Sequence, residues 1–261
     1  MFARSRARKL TLVTRRTLEL LNRCLPLVLT GLLAQSAGAQ GSGHTKRVIS
    51  SGSFTEEFKG KLAPGWYWVR EHKEAWRLSE HGLEVLIEPG NMWGPQNDAK
   101  NVLLLHAPRP GTEQIQIDVT FEHAPTNQYE QADLVWYFDD SNMVKLGEEL
   151  VDGKLSIVMG REEMDKTRTI SITPLTSNKV HLRMSVTDRG ITGSFQIPGT
   201  DRWTTVGQCE LPKSPNVNAT PKTGLQFYQG VAGSGHWARV TDFRLSISPA
   251  ESGKSEAKPA E

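Results

Sequence analysis

Between residues 82 and 248 the chain repeatedly alternates apolar and polar positions with a period of two, or runs apolar for five to eight residues. The segments are 82–88, 101–106, 114–122, 131–138, 143–150, 154–159, 169–173, 179–187, 190–197, 204–210, 224–229 and 238–248. They are rich in Val, Ile, Thr and aromatic side chains, which pack well on a pleated surface. Turn chemistry separates them at 80–82, 88–91, 139–142, 151–154, 187–190 and 198–201, where Gly, Pro, Asp and Asn cluster. No stretch carries an apolar stripe at helical spacing. The pattern predicts an all-β sandwich of two antiparallel sheets, with a jelly roll as the expected form.

Residues 131–150 show how such a strand pair divides its faces. Asp139-Asp140-Ser141-Asn142 suits a four-residue hairpin connection, because Asp and Asn hydrogen-bond local backbone. Upstream, Ala132, Leu134, Trp136 and Phe138 form one face and are expected in the core. Gln131, Asp133, Val135 and Tyr137 form the other, expected to face solvent or a ligand. The returning strand carries Lys145, Glu148 and Glu149. Which of them joins the Gln131/Tyr137 face depends on register, and a bulge at the turn inverts the answer. On residues alone, a solvated face with cross-strand ion pairs and a binding face both stand.

The ends of the chain change the charge picture. Residues 1–39 combine seven Lys/Arg with an apolar run at 25–34, too short to span a bilayer, and Ala37-Gly38-Ala39 fits a cleavage site. This reads as a signal peptide. Residues 40–47 are expected to be a flexible leader, 48–248 the folded domain and 249–261 a disordered tail. The whole chain has 31 basic and 29 acidic residues, but the leader holds seven of the former and one of the latter. The remainder has 24 and 28, so the basic excess belongs to the export signal and is no argument for nucleic-acid binding, and no nucleic-acid partner is expected. The expectation is a secreted or periplasmic protein, with no membrane association after cleavage. Cys209, the one cysteine past the leader, is expected to be an ordinary strand residue. Asn218-Ala219-Thr220 forms a glycosylation sequon.

Four stretches then point the same way: 54–71 ("FTEEFKGKLAPGWYWVRE"), 76–93 ("WRLSEHGLEVLIEPGNMW"), 129–153 ("YEQADLVWYFDDSNMVKLGEELVDG") and 223–245 ("TGLQFYQGVAGSGHWARVTDFRL"). Their order resembles the domain-of-unknown-function 1349 family and the related C-terminal domain of family 43 β-xylosidases. The resemblance covers residues 54–247. It implies the concanavalin A-like lectin/glucanase fold, a curved jelly-roll sandwich. Where Asp133 stands, the family usually has a small residue. Activity is not implied, since sandwiches of this type host lectins, binding modules, glucanases and lyases.

Flat rings stacking on sugar faces are the main device of carbohydrate sites. Of the seven Trp, Trp136 reads as core, Trp68 and Trp76 lie in apolar strand contexts, and Trp93 and Trp237 lie in glycine-rich loops. Trp93 and Trp237 are therefore the expected ligand contacts. Gln131, Tyr137, Lys145, Glu148 and Tyr228 are candidates to hydrogen-bond hydroxyls on a concave sheet. No paired carboxylates match the Glu-x-Asp-x-x-Glu strand of the sandwich glucanases, so no catalytic residue is assigned. A structural Ca²⁺, which this kind of sandwich often holds, would fall to Glu56, Glu57 and Asp242. The expected function is non-catalytic binding of a poly- or oligosaccharide. A small glycoside hydrolase or polysaccharide lyase, and a structural or protein-binding sandwich, are the alternatives.

Overall fold

The computed structural model describes residues 52–213, 216 and 218–249. The expected signal peptide, the expected flexible leader and the expected disordered tail beyond residue 249 lie outside the described residues. In chain order the strands are β1 (Ser53–Glu56), β2 (Tyr67–Val69), β3 (Trp76–Ser79), β4 (Gly82–Leu86) and β5 (Val102–His106). There follow β6 (Glu113–Glu122), β7 (Gln131–Asp139), β8 (Asn142–Val151), β9 (Lys154–Glu163) and β10 (Lys166–Pro174). The last five are β11 (Lys179–Thr187), β12 (Gly190–Gln196), β13 (Thr204–Cys209), β14 (Lys222–Tyr228) and β15 (Trp237–Pro249). One 3-10 turn, Lys73–Ala75, precedes β3. All twelve predicted segments are strands. The three short ones at the start, β1 to β3, are additional.

Two antiparallel sheets face each other, as the alternation requires. One runs β13-β12-β11-β6-β15-β4-β3, with β1 pairing on to β15. The other runs β10-β9-β8-β7-β14-β5-β2. The main core lies between them and includes Leu83, Leu103, Phe121, Trp136, Phe227 and Phe243. Trp136 is fully enclosed, as its face of β7 predicts.

A second apolar cluster lies on the opposite, outer face of the seven-stranded sheet. Val102, Leu104, Val135, Tyr137, Met143 and Tyr228 make its floor, and Met92 and Ala99 cover them. The cover is the connection from β4 to β5. Arg70 pins it, donating from Nε to the Ala99 carbonyl at 2.7 Å and through both terminal nitrogens to Asp140 at 2.7 and 3.0 Å. The Gly90 carbonyl accepts from Gln229 N–H at 3.1 Å, tying the same connection to the end of β14.

The hairpin that heads this face is tighter than the sequence suggests. Asp139 pairs directly with Asn142, so Asp140 and Ser141 alone form the turn, and the register shifts between Tyr137 and Asp139. That bulge sets the parity of β8. Tyr137 faces Met143, Val135 faces Lys145, Asp133 faces Gly147 and Gln131 faces Glu149.

Candidate functional site

The register decides which charges share the outer face. Lys145 and Glu149 join Gln131, Asp133 and Tyr137 there. Glu148 does not. It takes the parity of Val144 and Leu146, which lie in the core between the sheets. Its expected place among the hydroxyl-binding groups is therefore corrected: it is a fully buried interior carboxyl, and neither oxygen has a hydrogen-bond partner among the described residues. Burial, aided by the charge of Glu122, holds its pKa well above the carboxylate range.

Lys145 is the centre of the outer face. Its ammonium donates to Gln131 Oε1 and to Glu149 Oε2, the latter at 2.8 Å. It also lies 5.1 Å from the centroid of the Trp93 ring and 5.7 Å from that of Tyr228. A cation held between two aromatic faces and two acceptors keeps a fixed position while nearly out of water. Trp93 reaches it because β9 has Gly160 beneath the ring; a Cβ there would sit 2.5 Å from the indole. Asn91 shapes the approach, its side-chain oxygen accepting from the N–H groups of Met92 and Trp93 at 2.9 and 3.0 Å.

Beneath this layer lie groups that the sequence reading did not single out as a site. Asp133 is fully buried and accepts from Gln226 Nε2 at 2.9 Å. Its carboxyl has room because it passes over Gly147, where a Cβ would meet Asp133 Oδ1 at 2.1 Å. Burial raises its pKa to about 6, against the pull of Lys145 and Gln226. Glu162 on β9 accepts from the Gly94 N–H at 3.1 Å, and burial raises it to about 7. Asp133 Oδ1, Glu162 Oε1, Gln226 Oε1 and the Tyr228 hydroxyl have no hydrogen-bond partner among the described residues. Glycines within β8 and β9 were the available signal, since Gly inside a strand marks a close approach from above.

A cavity of about 390 Å³ opens beside Trp93. Gln131, Lys145 and Glu149 line its polar side, and Tyr129, at 49 % exposure, stands at its rim. Four of the predicted ligand residues thus converge: Trp93, Gln131 and Lys145 line the cavity, and Tyr228 lies under Lys145. Tyr137 shares the face but not the cavity; its hydroxyl donates to Asp140 at 2.7 Å, and burial pushes its pKa up. Trp237 is elsewhere. It starts β15 in the other sheet, with the Arg77 guanidinium 4.4 Å above its ring.

The three residues assigned to Ca²⁺ are not brought into a site. Glu56 accepts from the N–H groups of Phe58 and Ala63 at 2.7 and 2.6 Å, Glu57 pairs with Lys59 on the surface, and Asp242 sits in the β15 bulge. Among the described residues no group of three or more His, Cys, Asp or Glu is placed to hold a metal ion.

The chain matches the family described as "Protein of unknown function (DUF1349)" over residues 68–245. It belongs to that family. In solved structures, a DUF1349 chain of this shape is similar to the family 43 glycoside hydrolase protein BlXynB of Bacillus licheniformis, at 17 % identity and a TM-score of 0.63. The match covers 75 % of this chain and 39 % of that one. The xylan β-1,4-xylosidase of Bacillus halodurans C-125 matches at 16 % identity and 0.61, over 74 % and 38 %. A functionally unknown protein from Saccharomyces cerevisiae matches at 14 % and 0.51, over 71 % and 96 %. The DUF1349 chain thus spans about two fifths of the two Bacillus enzymes, and these likenesses establish its sandwich fold. No curated protein matches it.

Proposed function

We propose that this protein is an exported, non-catalytic carbohydrate-binding module, and that its ligand site is the cavity beside Trp93. One observation carries the reading. A sugar-sized hollow is walled by an indole and an exposed phenol, and Gln131, Lys145 and Glu149 offer it an amide, a cation and an anion. An aromatic platform takes the apolar face of a sugar ring, while rigid donors and acceptors take its hydroxyls. The similarity to domains of family 43 glycoside hydrolases supports a glycan-related role, and the leader composition supports export.

Polysaccharide pull-down and glycan-array binding test the proposal. Tyr129→Ala removes an exposed ring and leaves the fold intact; it and Lys145→Met should each weaken binding at least tenfold, about 1.4 kcal/mol. Undiminished binding in both variants rejects the site. A second reading, a small glycan-active enzyme, draws on the raised pKa values of Asp133 and Glu162, since poised carboxyls mark catalytic acids. Release of reducing ends or unsaturated sugars by the wild type, lost in Asp133→Asn or Glu162→Gln, would replace binding by catalysis.

A further inference from the structure

Both sheets end at the same side of the sandwich, one at β2 and the other at β3. There a cleft of about 750 Å³ opens, larger than the cavity beside Trp93. Trp66, Tyr67, Trp68 and Trp76 line it, with Glu71 and Lys222 among its polar groups. Trp68 and Trp76 stack on each other at 4.8 Å between centroids and 36° between planes, which joins the edge strands β2 and β3 across the wall of the cleft. Trp66 belongs to the inner wall, 4.9 Å from Phe243. The Trp66 and Trp68 N–H groups are both buried and have no hydrogen-bond partner among the described residues. Trp76 N–H donates to Glu71 at 3.2 Å. Burial raises the Tyr67 hydroxyl to about 12, so it stays a donor across the physiological range.

Volume and lining fit a small-molecule site: such sites run to roughly 300–1,000 Å³, mostly aromatic, with a few convergent polar groups. Trp66 is buried in the core, whereas Trp68 and Trp76 pack against the core on one side and stay partly exposed to the cleft on the other. The charge-bearing groups at its wall, the Glu71 carboxylate, the Lys222 ammonium and the His106 imidazole, favour no strongly charged ligand. We propose that this cleft is a second saccharide site, taking a neutral oligosaccharide whose ring faces lie against the cleft-facing sides of the stacked Trp68–Trp76 pair and whose hydroxyl oxygens accept from the indole N–H groups. The proposal is independent of the cavity beside Trp93.

Indole N–H resonances of the wild-type protein, assigned by single Trp→Phe variants, report the two places separately. Titration with xylohexaose or cellohexaose should shift the Trp66, Trp68 and Trp76 signals along one saturation curve. Trp93, if it moves, should follow a curve of its own. Trp76→Ala should weaken the first curve at least tenfold without altering the second. Should that variant not fold, as judged by near-ultraviolet circular dichroism, the wild-type shifts still decide. Three results would overturn the inference: no shift of the three cleft indoles with either neutral hexasaccharide, unchanged affinity in a folded Trp76→Ala protein, or equal binding of hexagalacturonate. Shifts confined to Trp93 would leave the first site standing and remove this one.

Discussion

Single residues here depart from the strand pattern in ways that titrate. Glu148 is the clearest case, a carboxyl placed by parity into an apolar interior. Its pKa is raised in the folded chain, so folding binds a proton that the unfolded chain releases near its ordinary value. The stability it permits is complete below about pH 4.5 and falls as pH rises towards the folded pKa, by about 1.4 kcal/mol per unit between the two. Glu148→Gln keeps the shape and cannot ionise. Denaturant unfolding across pH 5–8 should show the wild type losing stability relative to this variant as pH rises. A constant difference would mean that the carboxyl is neutral or hydrated throughout. Glu130 works in the opposite direction. Burial alone would raise it, but His123, His236 and Asn127 all bond to its oxygens and hold it at about 2. Its contribution is present above about pH 4.5 and disappears as pH falls towards 2, a difference on the order of 3 kcal/mol. Glu130→Gln should therefore be less stable than wild type at pH 7 and approach it at pH 3. Parallel acid-unfolding curves would rule this out.

At the scale of elements, the β4–β5 connection turns an ordinary sheet face into the wall of a cavity. It sits down only because Gly160 leaves space for the Trp93 ring. Gly160→Ala sets a methyl against the indole, and overpacking of this kind costs typically 1–3 kcal/mol. The expected result is a lower melting temperature together with weaker glycan binding and a red-shifted Trp emission as the ring lifts. A fall in stability with unaltered binding would show that the connection does not shape the site. This element also marks how far sequence reaches. The inward and outward faces of β7 were legible, because alternation is a property of one strand. Whether Lys145 or Glu148 lies on the outer face was not, because a bulge of one residue beside Tyr137 sets it. Nor was the cover over Tyr137 and Val135, since Arg70 and Asp140, its fastening, are far apart in the chain. The short strands β1 to β3 carry too few residues to display a period.

At the scale of the molecule, the twelve main strands and their two-layer packing follow from period-two patterning, whereas strand order does not. Local pattern says which residues face inward; it does not say which distant strand supplies the neighbour. The order found has a physical consequence for folding. β14 lies between β7 and β5, and β15 between β6 and β4, so the last two strands of the chain occupy interior places in both sheets. Until they arrive, four strand edges and the apolar faces behind them have no partner, and open edges of that kind pair promiscuously. β15 carries the greater share, since it binds β6 along most of its length and β4 and β1 on its other side. A chain ending at residue 221 lacks both strands, and one ending at 236 lacks only β15. Both should fail to reach the native state: neither should show a cooperative thermal transition, and both should bind the dye ANS and aggregate. Adding a synthetic peptide of residues 237–249 to the chain ending at 236 should restore a cooperative transition and protease resistance, while the same peptide should do nothing for the chain ending at 221. Cooperative unfolding of the 236-residue chain by itself would show that the seven-stranded sheet and its loop cover stand without the other layer, and that the sandwich is not the unit of folding.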